Sequence, residues 1–328
     1  MIILPEDALK EVFTPDVMAS LRSHKNPSKR LEWRLQVLEA SGPYPCDECL
    51  SYRIACLRAQ KAAWEAYVAA AFACGMFEGE QGRDLRARLT GKGDDGFRGA
   101  MAECEVCWLL AGRMKLPVQP EASGRVGKNL EMRVVFANCD IGVEVKAPFR
   151  PIPRSPTGEY LPWNGDDADK IRQCLESANR QFTDNCRNIL AIVPDLRTPM
   201  YDHRQDLLRA AYGESKITCP IDTATGGPAG PIEVKFFPEG KFLNTTTPGG
   251  ADLKPDGFPA YRRISAVVCI EEEMKPCGSD LMWVDHRVLV LHNPYAYHPL
   301  SQVMFQEFPQ LVPVWNEMQW TDGHQVSV

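Results

Sequence analysis

Leu130-Glu131-Met132-Arg133-Val134-Val135-Phe136-Ala137-Asn138-Cys139-Asp140-Ile141-Gly142-Val143-Glu144-Val145-Lys146-Ala147-Pro148 is the stretch on which the reading of this chain turns. Its β-branched and aromatic residues predict two strands, Glu131 to Ala137 and Ile141 to Ala147, joined by a tight Asn138-Cys139-Asp140 turn. Side chains alternate across a strand, so Glu144 and Lys146 share one face while Val143 and Val145 share the other. An unpaired charge is costly inside a sheet, so a carboxylate and an ammonium kept in an apolar strand are expected to be paired or to serve chemistry. The plainer alternative is a solvent-facing ion pair on an edge strand.

Working outward, the preceding segment reads as a helix from Phe97 to Met114, ended near Pro117. After a loop from Pro148 to Gly165, rich in proline, an amphipathic helix is predicted from Asp166 to Phe182 and a strand from Asn188 to Val193. A further helix fits His203 to Tyr212, and central strands fit Ile264 to Ile270 and Arg287 to Leu291. The first ~95 residues predict helices instead, including Ser28 to Ala40 and Leu50 to Phe77, with a Gly91 to Gly96 loop as the boundary. Thr218 to Pro259, dense in Gly, Pro and Thr, predicts an insertion around a short Ile232 to Phe237 strand. The expected organisation is a helical region over 1–95 and an α/β core over 96–328 that carries the insertion at about 218–259.

The order helix, strand, strand, helix, strand resembles the core of the PD-(D/E)XK nuclease superfamily, over about Phe97 to Pro194. Glu131 matches the first acidic position, Glu144-Val145-Lys146 the (D/E)-x-K element, and Glu103 the glutamate of the preceding helix. Leu130-Glu131 stands where the family's name has Pro-Asp. The resemblance implies a restriction-endonuclease-like mixed sheet flanked by helices. It implies that the acids hold Mg²⁺ (or Mn²⁺), that Lys146 orients or activates the attacking water, and that Glu103 assists. Gln181 would take the polar position often found on the following helix. The implied activity is metal-dependent hydrolysis of phosphodiester bonds, with DNA as the expected nucleic acid. Two carboxylates suit such a cation, which favours oxygen ligands and neutralises a transferring phosphoryl group.

A second acid with Glu-x-Lys occurs at Asp222 and Glu233-Val234-Lys235, but a Gly-rich run separates the two parts and no prompt helix and strand follow. The first set is therefore preferred. Two C-x-x-C pairs, Cys46 with Cys49 and Cys104 with Cys107, are further apart than the roughly 15 to 20 residues of compact zinc ribbons. A structural Zn²⁺ shared between them is geometrically possible, although burial as ordinary free thiols is the favoured reading. His286, His292 and His298 cluster near the last central strand, and structural hydrogen bonding is the role expected of them. No Gly-x-Ser-x-Gly or Walker phosphate loop is present.

A chain of 328 residues with a net charge of -6 exerts no global attraction on nucleic acid, so polyanion contacts must be local. Two basic runs offer them: Arg22, Lys25, Lys29, Arg30 and Arg34, with Trp33 available for stacking, and Arg83, Arg86, Arg88, Lys92 and Arg98. No stretch has the apolar length of a membrane span and the first residues show no targeting pattern, so a cytoplasmic, reducing setting is expected. The alternative to the enzyme is a catalytically inactive nuclease-fold module for binding or assembly, with a protein partner or a homo-oligomer in place of the nucleic acid.

Overall fold

A computed structural model describes residues 5–40, 48–123, 129–136, 139–148, 168–194, 203–213, 215–218, 223, 225, 233–236, 240–243, 260–277, 281–314 and 317–321. Helices come first: α1 (Pro5–Val12), α2 (Pro15–Arg22), α3 (Lys29–Glu39), α4 (Glu48–Ala73), α5 (Gly79–Thr90) and α6 (Asp94–Cys107), which runs into a π-helical turn, Trp108–Arg113. Strands β1 (Val118–Ser123), β2 (Asn129–Phe136) and β3 (Cys139–Lys146) precede α7 (Ala168–Gln181) and β4 (Arg187–Ile192). Beyond α8 (His203–Tyr212) lie β5 (Ser215–Thr218), β6 (Glu233–Phe236), β7 (Ala266–Cys277), β8 (Leu281–His292), β9 (Gln310–Val314) and β10 (Glu317–Thr321).

The protein is thus mixed α/β, and among the described residues its main sheet has eight strands in the order β1-β2-β3-β4-β7-β8-β9-β10. β1, β2 and β3 pair antiparallel, whereas β8 and β9 pair parallel, so the sheet is mixed. Contacts group the chain into two compact units. The first comprises Met1–Phe149, Ala191–Arg197 and Val268–Val288; the second comprises Arg150–Leu190, Thr198–Val267 and Leu289–Val328.

Local chemistry sets the helix ends in the first unit. Thr14 and Ser28 cap α2 and α3, their hydroxyls accepting from Val17 N (3.4 Å) and Leu31 N (3.0 Å). Gly75 ends α4 with φ of 76°, a left-handed conformation that costs glycine little. The Gly91–Gly96 segment is shorter as a loop than the sequence suggests, because Asp94 and Asp95 already occupy the first turn of α6, where acidic groups favour the helix dipole. α6 packs on α4, α5 and β3, so helices on both sides of this short loop belong to the same unit. Around it Trp64, Val68, Leu85, Leu89, Met101 and Leu109 are buried.

In the strands, Phe136 pairs with Cys139, which makes Cys139 and Asp140 the start of β3 where the sequence suggests a turn. Asn138 and the Pro-rich 149–165 segment lie outside the described residues. In the second unit α7 packs on α8. There Asn188 donates to the carbonyls of Thr183 (3.0 Å), Cys186 (3.1 Å) and Arg263 (2.8 Å), anchoring the start of β4. β5 and β6 form a separate two-stranded sheet.

Candidate metal centre

The antiparallel register Met132 to Val143 and Arg133 to Gly142 brings the lower ends of β2 and β3 together. Leu130, Met132, Val134, Val143 and Val145 are buried, as the alternating pattern requires. Glu144 is buried completely on the opposite side of β3, a cost borne only with compensation. Lys146 Nζ donates to Glu144 Oε1, and the Lys146 side chain keeps 25% of its surface exposed, so the pair reaches solvent through the lysine. Glu131 Oε2 accepts from the backbone N–H of Val145 at 3.0 Å, and the Glu131 carboxyl lies close enough to that of Glu144 to feel its charge.

Glu103 projects from α6 and is gripped by a two-pronged guanidinium: Arg88 Nη1 and Nη2 reach Oε1 and Oε2 at 2.6 and 3.0 Å. Asp84 holds the Arg88 Nε at 2.7 Å, fixing the fork one turn up α5. Gln81 of the same helix donates to the Glu131 carbonyl at 2.8 Å, tying α5 to β2. Burial pushes the Glu131 carboxyl well above the usual range, reinforced by Glu144 and Glu103 and opposed by Lys146. Burial also raises Glu103 against the pull of Arg88, with Asp84 and Glu144 adding to the rise. Like charges forced together in a dry site share a proton or take up a cation. Glu144 Oε2 is buried without a hydrogen-bond partner, and the donors here are all carboxylate oxygens, so the residues fit a hard divalent cation.

The structure therefore brings Glu103, Glu131, Glu144 and Lys146 into one electrostatic cluster. Gln181 belongs to the second unit, where it accepts from the Ser177 hydroxyl at 3.5 Å. Cys104 and Cys107 are buried, and Cys107 hydrogen-bonds to Cys74, while Cys46 and the side chain of Cys49 lie outside the described residues. Glu233 to Lys235 form part of β6, and Asp222 is likewise outside. The basic runs are only partly available: Lys25, Lys29, Arg83 and Lys92 are exposed, but Arg34 is buried and donates to Gly91 O at 2.8 Å. Arg86 donates to Glu11 O at 2.8 Å, Arg88 holds Glu103, and Trp33 packs edge-on to Trp64. No helix among the described residues is long and apolar enough to cross a membrane.

A second cluster was not foreseen from the sequence. Glu105, Glu272 and His286 each offer a ligand atom, and these lie within 4.8 Å of one another, the one such group of three among the described residues. Tyr67 Oη donates to Glu272 Oε1 at 2.6 Å and lies 2.5 Å from His286 Nε2. Gln60 Nε2 reaches both Glu272 oxygens at 3.1 Å, and the Trp108 ring lies 4.4 Å from the imidazole. Burial, then the charge of Arg113, pulls His286 down to about 4, with Asp285 opposing. Burial pushes Glu105 well up, with Glu272 reinforcing and Arg98 opposing. The other two histidines do make structural hydrogen bonds, His292 Nε2 with Gln310 Oε1 (2.8 Å) and His298 Nε2 with Asp184 O (2.9 Å). The signal for His286 was Glu105 itself, a second acid on a helix whose neighbours Cys104, Val106 and Cys107 are all buried.

No family model matches this chain, and no curated protein or solved structure matches it.

Proposed function

We propose that the protein hydrolyses phosphodiester bonds, with DNA as substrate, using Mg²⁺ or Mn²⁺ held by Glu131 and Glu144. The observation that carries this reading is the fully buried Glu144 carboxylate, bonded to Lys146 through Oε1 with Oε2 left unpartnered, next to the Glu131 carboxyl. The element order α6, β1, β2, β3, α7, β4, with β1 to β4 adjacent in that order, supports the resemblance to the PD-(D/E)XK core. A divalent cation, when bound, supplies charge neutralisation at the scissile phosphate and a water of lowered pKa.

The chain's own residues do the rest. The Lys146 ammonium, held at Glu144 and partly exposed, orients the attacking water and offsets charge that develops on the phosphoryl oxygens. Glu131, whose carboxyl burial favours the protonated form, would hold the cation beside Glu144, its proton passing to bulk water. The Val145 N–H fixes the Glu131 carboxyl against the strand, and Arg88 fixes Glu103 beside it.

The test is cleavage of linear and supercoiled DNA by the full chain with Mg²⁺ or Mn²⁺. Lys146→Ala is expected to lower the rate by ~10²-fold or more, the scale of removing one electrostatic group, with an unchanged circular-dichroism spectrum. Cutting by Lys146→Ala at the wild-type rate, or no cutting by the wild type with either ion, overturns the proposal.

A further inference from the structure

The cluster formed by Glu105, Glu272 and His286 is separate from the Glu131–Glu144 pair and plays no part in the proposed hydrolysis. The geometry points to a buried Zn²⁺ site there, with Glu105, Glu272 and His286 as ligands, clasping α6 to β7 and β8.

Three observations carry it. The ligand atoms already lie within 4.8 Å of one another, so small side-chain shifts would bring them into a single coordination shell. Glu105 Oε1 is buried with no hydrogen-bond partner and stands 3.7 Å from His286 Nε2, so the cluster contains an unspent acceptor aimed at the imidazole. An unmet carboxylate oxygen in the interior is costly, and a metal ion is a partner that would satisfy it together with the imidazole.

The surroundings are those of a held ligand set. Gln60 and Tyr67 donate to Glu272 and fix its orientation while leaving lone pairs on both oxygens. Trp108 and Tyr67 pack on the imidazole from two sides, with centroid separations of 4.4 and 5.6 Å. Trp108 opens the π-helical turn that follows Glu105 and Cys107, an irregularity that recurs at functional sites. A hydrogen-bond relay from Glu272 through Tyr67 to His286 accounts for three of these groups but leaves Glu105 unexplained.

The choice of metal follows from the donors. One imidazole nitrogen with two carboxylates is a mixed, borderline set that suits Zn²⁺, whereas Mg²⁺ and Ca²⁺ prefer oxygen alone. With side-chain exposures of 5% for Glu105 and 4% for His286, the site admits little beyond the ion, which argues for a structural role. Tyr67 Oη, beside both Glu272 and His286, is placed to complete the shell directly or through a water.

Full-length protein is stripped with a chelator, dialysed, and titrated with Zn²⁺ against a chromogenic competitor, with thermal unfolding followed in parallel. The expected result is saturable Zn²⁺ uptake that raises the unfolding midpoint. Glu105→Gln and His286→Gln should each lose one equivalent per chain, and Asp16→Asn, at an exposed acid outside both clusters, should lose none. Co²⁺ in the same site should give weak visible bands without the intense near-ultraviolet sulfur-to-cobalt absorption of cysteine ligation. That spectrum is read on the wild type, so it decides the matter even where a variant misfolds. Zn²⁺ uptake unchanged in both variants, no uptake by the wild type, or uptake accompanied only by sulfur-to-cobalt absorption overturns the inference.

Discussion

The Glu103–Arg88 pair shows how one residue's environment sets what it can do. Arg88 keeps about a third of its surface exposed and Glu103 almost none, so the guanidinium acts as a lid that lets a carboxylate be buried on α6. His292 is buried in a simpler setting, bonded to Gln310, with the Tyr212 hydroxyl donating to its carbonyl. Burial lowers its pKa below the ordinary value, with Gln310 opposing. An unfolded histidine takes up a proton near pH 6.5, but the folded one does so only at lower pH. Acidification through pH 6.5 therefore favours the unfolded chain, and the stability present above that pH is lost on the way down to the folded pKa. Urea midpoints measured from pH 7.5 to 5 should fall less steeply in His292→Gln than in the wild type. Parallel curves would show that His292 does not titrate differently in the two states.

At the scale of elements, α5 does two jobs, since Gln81 binds the β2 backbone and Arg88 holds Glu103. Its placement depends on Gly82, where an added Cβ would lie 2.1 Å from the Phe77 carbonyl carbon. Backbone, unlike a flexible side chain, cannot step aside cheaply. Gly82→Ala should therefore cost ~1–3 kcal/mol, read as a lower denaturation midpoint, despite the better helix propensity of alanine. A midpoint equal to that of the wild type would mean the approach is looser than the distance implies. The strands show why pattern reading stopped short. β1 contains Pro120, which argues against a strand interior, yet β1 lies at the end of the sheet order, where a missing N–H is tolerated. β7 and β8 run beyond their apolar middles into Glu271, Glu272, Glu273 and Asp285, residues that pattern alone assigns to solvent.

For the whole molecule, the net charge is -6, and the inward commitment of Arg34, Arg86 and Arg88 limits how much of the two basic runs can meet a polyanion. Within the two basic runs, Lys25, Lys29, Arg83 and Lys92 are exposed, as is Arg22, whose charge is taken up by Glu39 at 2.7 Å. Each neutralised phosphate contributes about -0.9 to the slope of log affinity against log salt. DNA binding by Lys146→Ala with Mg²⁺, followed by anisotropy from ~50 to ~200 mM salt, should show a slope no steeper than about -4. A slope near -8 would reveal a basic surface that these residues do not account for. The sequence by itself determined the amphipathic helices, the β2–β3 hairpin and the Glu-x-Lys placement. Those follow from periodicity and alternation, which are local properties of the chain. Tertiary structure decided that Arg88 turns onto Glu103 and that Glu131 contacts Glu144. It also decided that Glu105 meets Glu272 and His286. Those contacts join residues distant along the chain or on neighbouring strands. Burial sets their cost and their protonation, and no local pattern says which charged groups will meet in the interior.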